Sequence, residues 1–283
     1  MRVVAEPNGV EQRPRSLIVS FFGLYAREVG GWVAVSDLVR LLGRLDVDEA
    51  SVRMAISRLK RGGWLLARRV GAVAGYTLSP SAWEMLAEGD RRIYRRRVAD
   101  PADGWVLAVF SVPEAQRHKR HLLRSRLARL GFGNAASGVW IAPAHLREEA
   151  ESALRRLGLD EYVSLFEARY LAFGELRAMV ASWWDLAGLD RMYGGYVRAY
   201  EPVLASWARR RRVDPAAAFV DHLQAADAWR RMPYLDPGLP VELVPEDWSG
   251  TRAAEVFFRL HATLAEPAVT HVRDSTREWL GPS

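Results

Sequence analysis

Asp48-Glu49-Ala50-Ser51-Val52-Arg53-Met54-Ala55-Ile56-Ser57-Arg58-Leu59-Lys60-Arg61-Gly62-Gly63 is the stretch whose periodicity decides the fold. At 3.6 residues per turn, Val52, Ala55, Ile56 and Leu59 fall on one side of a helix and face a core. The other side presents Ala50, Arg53, Met54, Ser57, Arg58 and Arg61, flanked by Lys60, and Gly62-Gly63 end the helix. A major groove admits such a rod: Arg forks onto guanine, Ser reaches bases or phosphates, and Met touches a thymine methyl. An amphipathic surface helix also turns its arginines outward, so this segment alone leaves both readings open.

The flanking segments favour the groove. Upstream, Pro14 opens a helical stripe of Leu17, Ile18, Phe21, Phe22, Leu24 and Tyr25, as a proline does at no cost in a first turn. A brief strand at Trp32, Val33 and Val35 leads to a second helix, with Ser36 as its N-cap and Leu38, Leu41, Leu42 and Leu45 inward. Downstream, Trp64 to Val70 reads as a strand bearing Arg68 and Arg69, Gly71 to Gly75 as a turn, and Tyr76-Thr77-Leu78 as the returning strand. Three helices followed by a basic hairpin make a winged helix-turn-helix. The third helix then enters the major groove and the wing lies along the backbone or minor groove. Ser51, Arg53, Met54, Ser57, Arg58, Arg61, Arg68 and Arg69 are the candidate DNA-binding residues. Ser79-Pro80 caps a fourth helix that runs into Arg91, Arg92, Arg95, Arg96 and Arg97, either a phosphate clamp or a solvated linker.

Charge supports the same placement. The 283 residues carry a net +6, and residues 1–100 hold 17 basic against 11 acidic residues, whereas 101–175 hold 10 against 9. Within 51–97 the balance is 11 against 3. A local excess of this size points to a polyanionic partner, where a solvated face intersperses signs. No cysteine is present, which removes disulfides, thiolate metal sites and cysteine nucleophiles together. No apolar run is long enough to span a membrane, and the first residues carry Arg2, Glu6, Glu11 and Arg13; the expectation is a soluble, cytoplasmic protein without membrane partners.

The resemblance is carried by Pro14-Arg15-Ser16-Leu17-Ile18, by Ser51 to Leu59 followed by Gly63-Trp64-Leu65, and by Tyr76-Thr77-Leu78. A later stretch adds Asp236-Pro237-Gly238-Leu239-Pro240, Leu243-Val244-Pro245, Asp247-Trp248 and Gly250. On these residues the sequence resembles the PaaX family, the repressors of bacterial phenylacetate-degradation operons. The resemblance covers almost the whole chain. It implies a DNA-binding homodimer with an N-terminal winged helix, a ferredoxin-like middle and a C-terminal helical domain. It further implies release from the operator by an aryl-CoA thioester such as phenylacetyl-CoA.

The middle of the chain reads independently as βαββαβ: strands at Trp105 to Val112, Phe132 to Ala135, Val139 to Ala142 and Tyr162 to Leu171, with helices at Arg117 to Leu130 and Leu146 to Leu157. Leu122, Leu123, Leu127 and Leu130 are expected inward. This order is similar to a small CRISPR-associated endonuclease fold, so a nuclease is one alternative function; an acyl-CoA hydrolase in the C-terminal part is the other. The first strand ends Phe110-Ser111-Val112-Pro113, without the carboxylate that would hold a metal near a phosphate. His118 and His121 lie i, i+3 with no carboxylate beside them, and no nucleophile-elbow, zincin or P-loop motif occurs. No catalytic residue, metal or cofactor is assigned; the expectation is not an enzyme. A structural chromatin-type binder is a third reading, distinguished by shape-only binding without operator preference.

From Trp183 the chain is helical and aromatic-rich, including Tyr196, Trp207, Phe219, Trp229, Phe257 and Phe258. If the effector is a CoA thioester, its phosphates need cations and its aryl group needs rings, which makes Arg209, Arg212, Trp229, Arg230 and Arg231 the candidate effector residues. The run Arg209 to Arg212 reads equally as a helix end favoured by the dipole. Pro233, Pro237, Pro240 and Pro245 make an ordered, irregular crossing whose stiffness would couple a ligand pocket to a dimer interface. The expected organisation is α+β and multidomain: 14–97 for DNA binding, 101–175 for dimerisation and linkage, and 176–275 for effector sensing.

Overall fold

A computed structural model of the chain describes residues 9–95, 97–171 and 173–276. Helix α1 spans Gly9–Leu24, so Pro14 stands inside it and not at its start. Pro14 therefore forfeits one backbone bond, and burial of Leu17, Ile18, Phe21, Phe22 and Tyr25 holds the helix regardless. Strand β1 (Trp32–Ala34) runs directly into α2 (Val35–Gly43), which puts Ala34 at the cap with no side-chain bond and Ser36 within the first turn. The expected Ser36 cap is thus displaced by the continuity of strand and helix. Helix α3 spans Glu49–Arg61, and its buried residues are Val52, Ala55, Ile56 and Leu59.

Strands β2 (Leu65–Val70) and β3 (Val73–Leu78) form a hairpin through the turn Gly71-Ala72, and β1 joins it in the order β1-β3-β2, all antiparallel. Gly71 has φ 57, the left-handed conformation such a tight turn needs. Trp32 lies across the hairpin and donates from Nε1 to the Arg68 carbonyl at 3.0 Å. Its ring comes so near Gly75 that a Cβ there would stand 2.4 Å from ring carbons. Gly75→Ala is therefore expected to lower stability by about 1–3 kcal/mol through overpacking, read as a shifted urea midpoint at unchanged slope. An unshifted midpoint would show that the indole moves aside freely.

Helix α4 (Pro80–Tyr94) follows, with the Ala82 amide donating to the Ser79 hydroxyl at 3.2 Å. The second sheet is built from β4 (Trp105–Phe110), β5 (Gly133–Ala136), β6 (Val139–Pro143) and β7 (Val163–Ala168), antiparallel in the order β5-β6-β4-β7. Helices α5 (Arg117–Arg129) and α6 (Arg147–Arg156) cover one face over Val106, Ala108, Trp140 and Ala142. Leu123, Leu127 and Leu130 point inward, but Leu122 is 41% exposed. One residue is a rotation of 100°, which carries Leu122 off the inward stripe.

Helices α7 (Leu176–Trp183), α8 (Leu186–Ala208), α9 (Pro215–Trp229), α10 (Met232–Leu235) and α11 (Ser249–Thr276) complete the described chain. The described residues pack as two units: those within 9–90, 196–229 and 253–276 form the first, and those within 91–195 and 230–252 the second. The stretch 176–275, expected as one domain, is shared between them. In the first unit Phe219 and Leu223 of α9 and Ala268 and Val272 of α11 join the core of α1, α2 and α3. In the second, the other face of the sheet, at Trp105 and Ile141, is covered by Val180, Trp184, Leu186, Leu189, Leu239 and Val244.

The proline crossing is held by hydrogen bonds. Tyr193 donates to Asp236 at 2.7 Å, the Gly238 amide donates to the same carboxylate at 2.8 Å, and the Gly238 carbonyl accepts from the Ala99 amide at 2.8 Å. Gly238 has φ 68, and a Cβ there would meet the Arg97 carbonyl oxygen at 2.3 Å. The sequence Asp236-Pro237-Gly238-Leu239 thus clamps an irregular segment against the sheet.

Candidate nucleic-acid interface

Helix α3 begins at Asp48, whose carboxylate accepts from the Ser51 amide at 2.9 Å. These bonds from Ser51 hold the Asp48 carboxyl below the usual carboxylate range. Ser51 is therefore half-buried in the first turn and tied to the cap. Arg53, Met54, Ser57, Arg58, Lys60 and Arg61 are all exposed, opposite the buried stripe, and Met54 is 50% exposed. A bulky thioether half in water on an arginine-lined face is positioned for apolar contact with a partner.

Arg53 is not idle: its Nε donates to Glu49 at 2.7 Å, with both side chains more than half exposed. Exposed i, i+4 pairs contribute about 0.3–0.5 kcal/mol, so a base or phosphate displaces Glu49 at small cost. In β2 every residue after Leu65 is exposed. Arg68 and Arg69 are successive strand residues, so their side chains leave on opposite faces of the hairpin and do not act as one clamp. Arg69 also donates to the Ala72 carbonyl at 2.9 Å and closes the turn.

The basic run after α4 divides. Arg91 and Arg95 are exposed; Arg96 lies outside the described residues. The Arg92 side chain is only 9% exposed: it pairs with Glu149 at 2.9 Å, donates to the Leu130 carbonyl at 2.6 Å and lies over the Tyr234 ring. Arg92 belongs to the packing of the second unit and not to a phosphate clamp, because its donors are already satisfied by distant parts of the chain. Arg97 pairs with Asp103 at 3.0 Å.

The five candidate effector residues are not gathered in either unit. Arg209 and Arg212 are exposed beyond the end of α8, and Arg209 donates back to the Ala205 carbonyl at 3.1 Å. Trp229 is fully buried and stacked on Phe257 at 4.8 Å, which makes it a core residue and not a ring open to ligand. Arg230 is half-buried and Arg231 exposed, both in the second unit. A cavity of about 160 Å³ lies elsewhere, walled by Trp105, Pro101, Pro143, Leu176, Pro240 and Leu243, with Asp100 and Glu242 at its lining.

Sequence reading missed a buried relay in the first unit. Tyr25 of the residue run following α1 is hydrogen-bonded to His222 Nδ1 of α9 at 2.7 Å, and His222 Nε2 to His261 Nδ1 of α11 at 2.9 Å. Burial first, then the adjacent His261, lowers the His222 pKa to about 3 and keeps the ring neutral. Ser16 and Ser20 of α1 likewise donate to Asp227 of α9 at 2.7 and 2.6 Å. Nothing in the spacing of these residues announces the contacts.

Three family profiles match in succession: the PaaX-like protein at residues 13–82, the PaaX protein central Cas2-like domain at 99–180, and the PaaX-like protein C-terminal domain at 184–274. The chain is 28% identical over 280 residues to the transcriptional repressor PaaX of Escherichia coli (strain K12), across 97% of this chain and 87% of that protein. It is also similar to the solved structure of the uncharacterized protein Rv0674 from Mycobacterium tuberculosis, with a TM-score of 0.56 and 25% identity over 93% of this chain and 98% of that one. The matches define a mixed α and β protein with a Cas2-like centre. The chain belongs to the PaaX-like protein family.

Proposed function

We propose that this protein is a sequence-specific, homodimeric transcriptional repressor and not an enzyme, with a winged helix-turn-helix reading duplex DNA through α3. The observation that carries the reading is the exposed face of Arg53, Met54, Ser57 and Arg58 over a fully apolar back. The three-stranded hairpin sheet beside it supports a wing, and similarity to the Escherichia coli repressor supports repression. In the second unit the strand order, with the first strand between the third and fourth, supports a ferredoxin-like fold in a dimerising and linking role.

An aryl-CoA thioester remains the proposed effector on the family resemblance; Arg209 and Arg212 lie in one unit and Arg230 and Arg231 in the other, so the four are not assigned to one phosphate site. The 160 Å³ cavity suits one aromatic ring, since an apolar void of about 150 Å³ takes up benzene. Its two carboxylates are the wrong sign for phosphates. The shared core of α1 with α9 and α11 gives an effector on the helical part a direct path to the reader: it has only to favour one packing of those helices.

Selection of bound duplexes from a random pool, repeated with a panel of aryl-CoA thioesters, tests this reading. Arg53→Ala is expected to weaken the selected site by about 5- to 150-fold, the worth of one bidentate base contact, and random DNA little. Equal losses on both would make Arg53 a phosphate contact.

A further inference from the structure

We propose that the exposed face of α5 is a second DNA surface, one that grips the phosphate backbone without regard to sequence. The inference rests on the reading of the protein as a DNA-binding regulator and adds a separate contact region in the second unit. In 13 residues, Arg117-His-Lys-Arg-His-Leu-Leu-Arg-Ser-Arg-Leu-Ala-Arg129, the helix holds six arginine or lysine residues, two histidines and no carboxylate.

The fold uses some of these cations and leaves others. Lys119 pairs with Glu161 at 3.4 Å and donates to the Tyr162 hydroxyl at 2.6 Å; Arg120 pairs with Glu114 at 3.1 Å and donates to the Val112 carbonyl at 2.8 Å. Arg117, Arg124 and Arg129 are exposed, and among the described residues their side chains take no ion pair or hydrogen bond. Of the three carboxylates of α6, Glu149 is held by Arg92, and Glu151 by Arg147 and Arg155. Half-buried Arg126 has its pKa lowered by burial and then by the like charges of Arg129 and Arg156. Arg126 thus lies among like charges, to which exposed Arg117, Arg124 and Arg129 add along the same helix, a repulsion that a polyanion relieves.

The geometry suits a nucleic-acid backbone. On a helical wheel Arg117, His118, His121, Arg124, Ser125, Ala128 and Arg129 occupy one arc, opposite buried Leu123 and Leu127. Arg117 to Arg129 spans about 18 Å at 1.5 Å per residue, the axial length of about five phosphates of one strand. Ser125 and Ala128 are short enough to let a backbone approach between the arginines. The face lacks the aromatic or apolar centre that a protein partner would bury.

The test uses the full-length protein, titrated with the selected duplex and with random-sequence duplex across a range of KCl. In the variant Arg117→Gln/Arg124→Gln/Arg129→Gln the log–log salt slope is expected to shrink by about 2.7, at about 0.9 per lost contact, equally on both duplexes. The Arg→Lys triple, which keeps the charge, is expected to restore it. An unchanged slope overturns the proposal, as does lost repression in cells at unchanged slope, which would assign the face to a protein. Each single variant, expected to remove about 0.9, decides the matter if the triple does not fold. A wild-type protein that binds no duplex at low salt defeats the regulator reading itself; a wild type that binds, with variants of equal slope, defeats only this inference.

Discussion

Trp229→Ala is expected to destabilise the protein by about 3–5 kcal/mol, a large part of the 5–15 kcal/mol by which domains are stable. The indole is fully buried. It stacks on Phe257 at 4.8 Å with 12° between the planes, and meets Phe258 and Tyr196 edge-on at 6.2 and 5.6 Å. Removing it deletes the transfer term of a large ring and leaves its aromatic neighbours facing a void. Urea unfolding followed by circular dichroism measures the loss, and Trp229→Phe is expected to recover much of it. A Trp229→Ala protein of wild-type stability that no longer answers an aryl-CoA would return this ring to the effector site.

Acid is expected to destabilise the protein, and His222 contributes to the loss. His222 is 2% exposed, bonded to Tyr25 on one nitrogen and His261 on the other, with its pKa lowered from 6.5 to about 3. The unfolded chain binds the proton at higher pH than the folded one. The stabilisation is therefore complete above pH 6.5 and is lost as pH falls, at about 1.4 kcal/mol per unit, until the ring protonates in the folded state near pH 3. The total is about 5 kcal/mol. His145, lowered to about 4 chiefly by burial and then by Arg97, works in the same direction. Carboxylates titrate in the same window, so the informative quantity is the difference between wild type and His222→Phe. The variant is expected to be less stable at pH 7, because Tyr25 and His261 lose a partner, yet to show a shallower dependence between pH 6 and 4. Parallel curves would mean that His222 is protonated without penalty.

What could be read in the sequence followed from distance along the chain. The buried stripe of α3 is a matter of residues three and four apart, and the hairpin is a matter of one turn, so Val52, Ile56 and Gly71 declare themselves locally. Gly75 is different: its sequence reads as the end of the turn, whereas β3 already begins at Val73, and only the fold reveals that Trp32 packs against Gly75. The charge of α5 was legible and was hidden by averaging, because residues 101–175 hold 10 basic and 9 acidic residues overall. A window the length of one helix exposes it.

Arg92 and Trp229 mark the other limit. Both carry the residue types of a binding site, a guanidinium in a basic run and an indole beside two arginines, and both are packing residues. Their partners, Glu149 and Leu130 for one and Tyr196 and Phe257 for the other, lie tens of residues away. Tyr25 and His222 are 197 residues apart. Periodicity by itself determined the apolar back of α3 and its charged front, since those follow from which side chains neighbour one another on a rod. Only tertiary structure decided which cations are spent on the fold and which stay available, because a buried guanidinium must find acceptors and a ring must find walls, and the chain supplies both from far away.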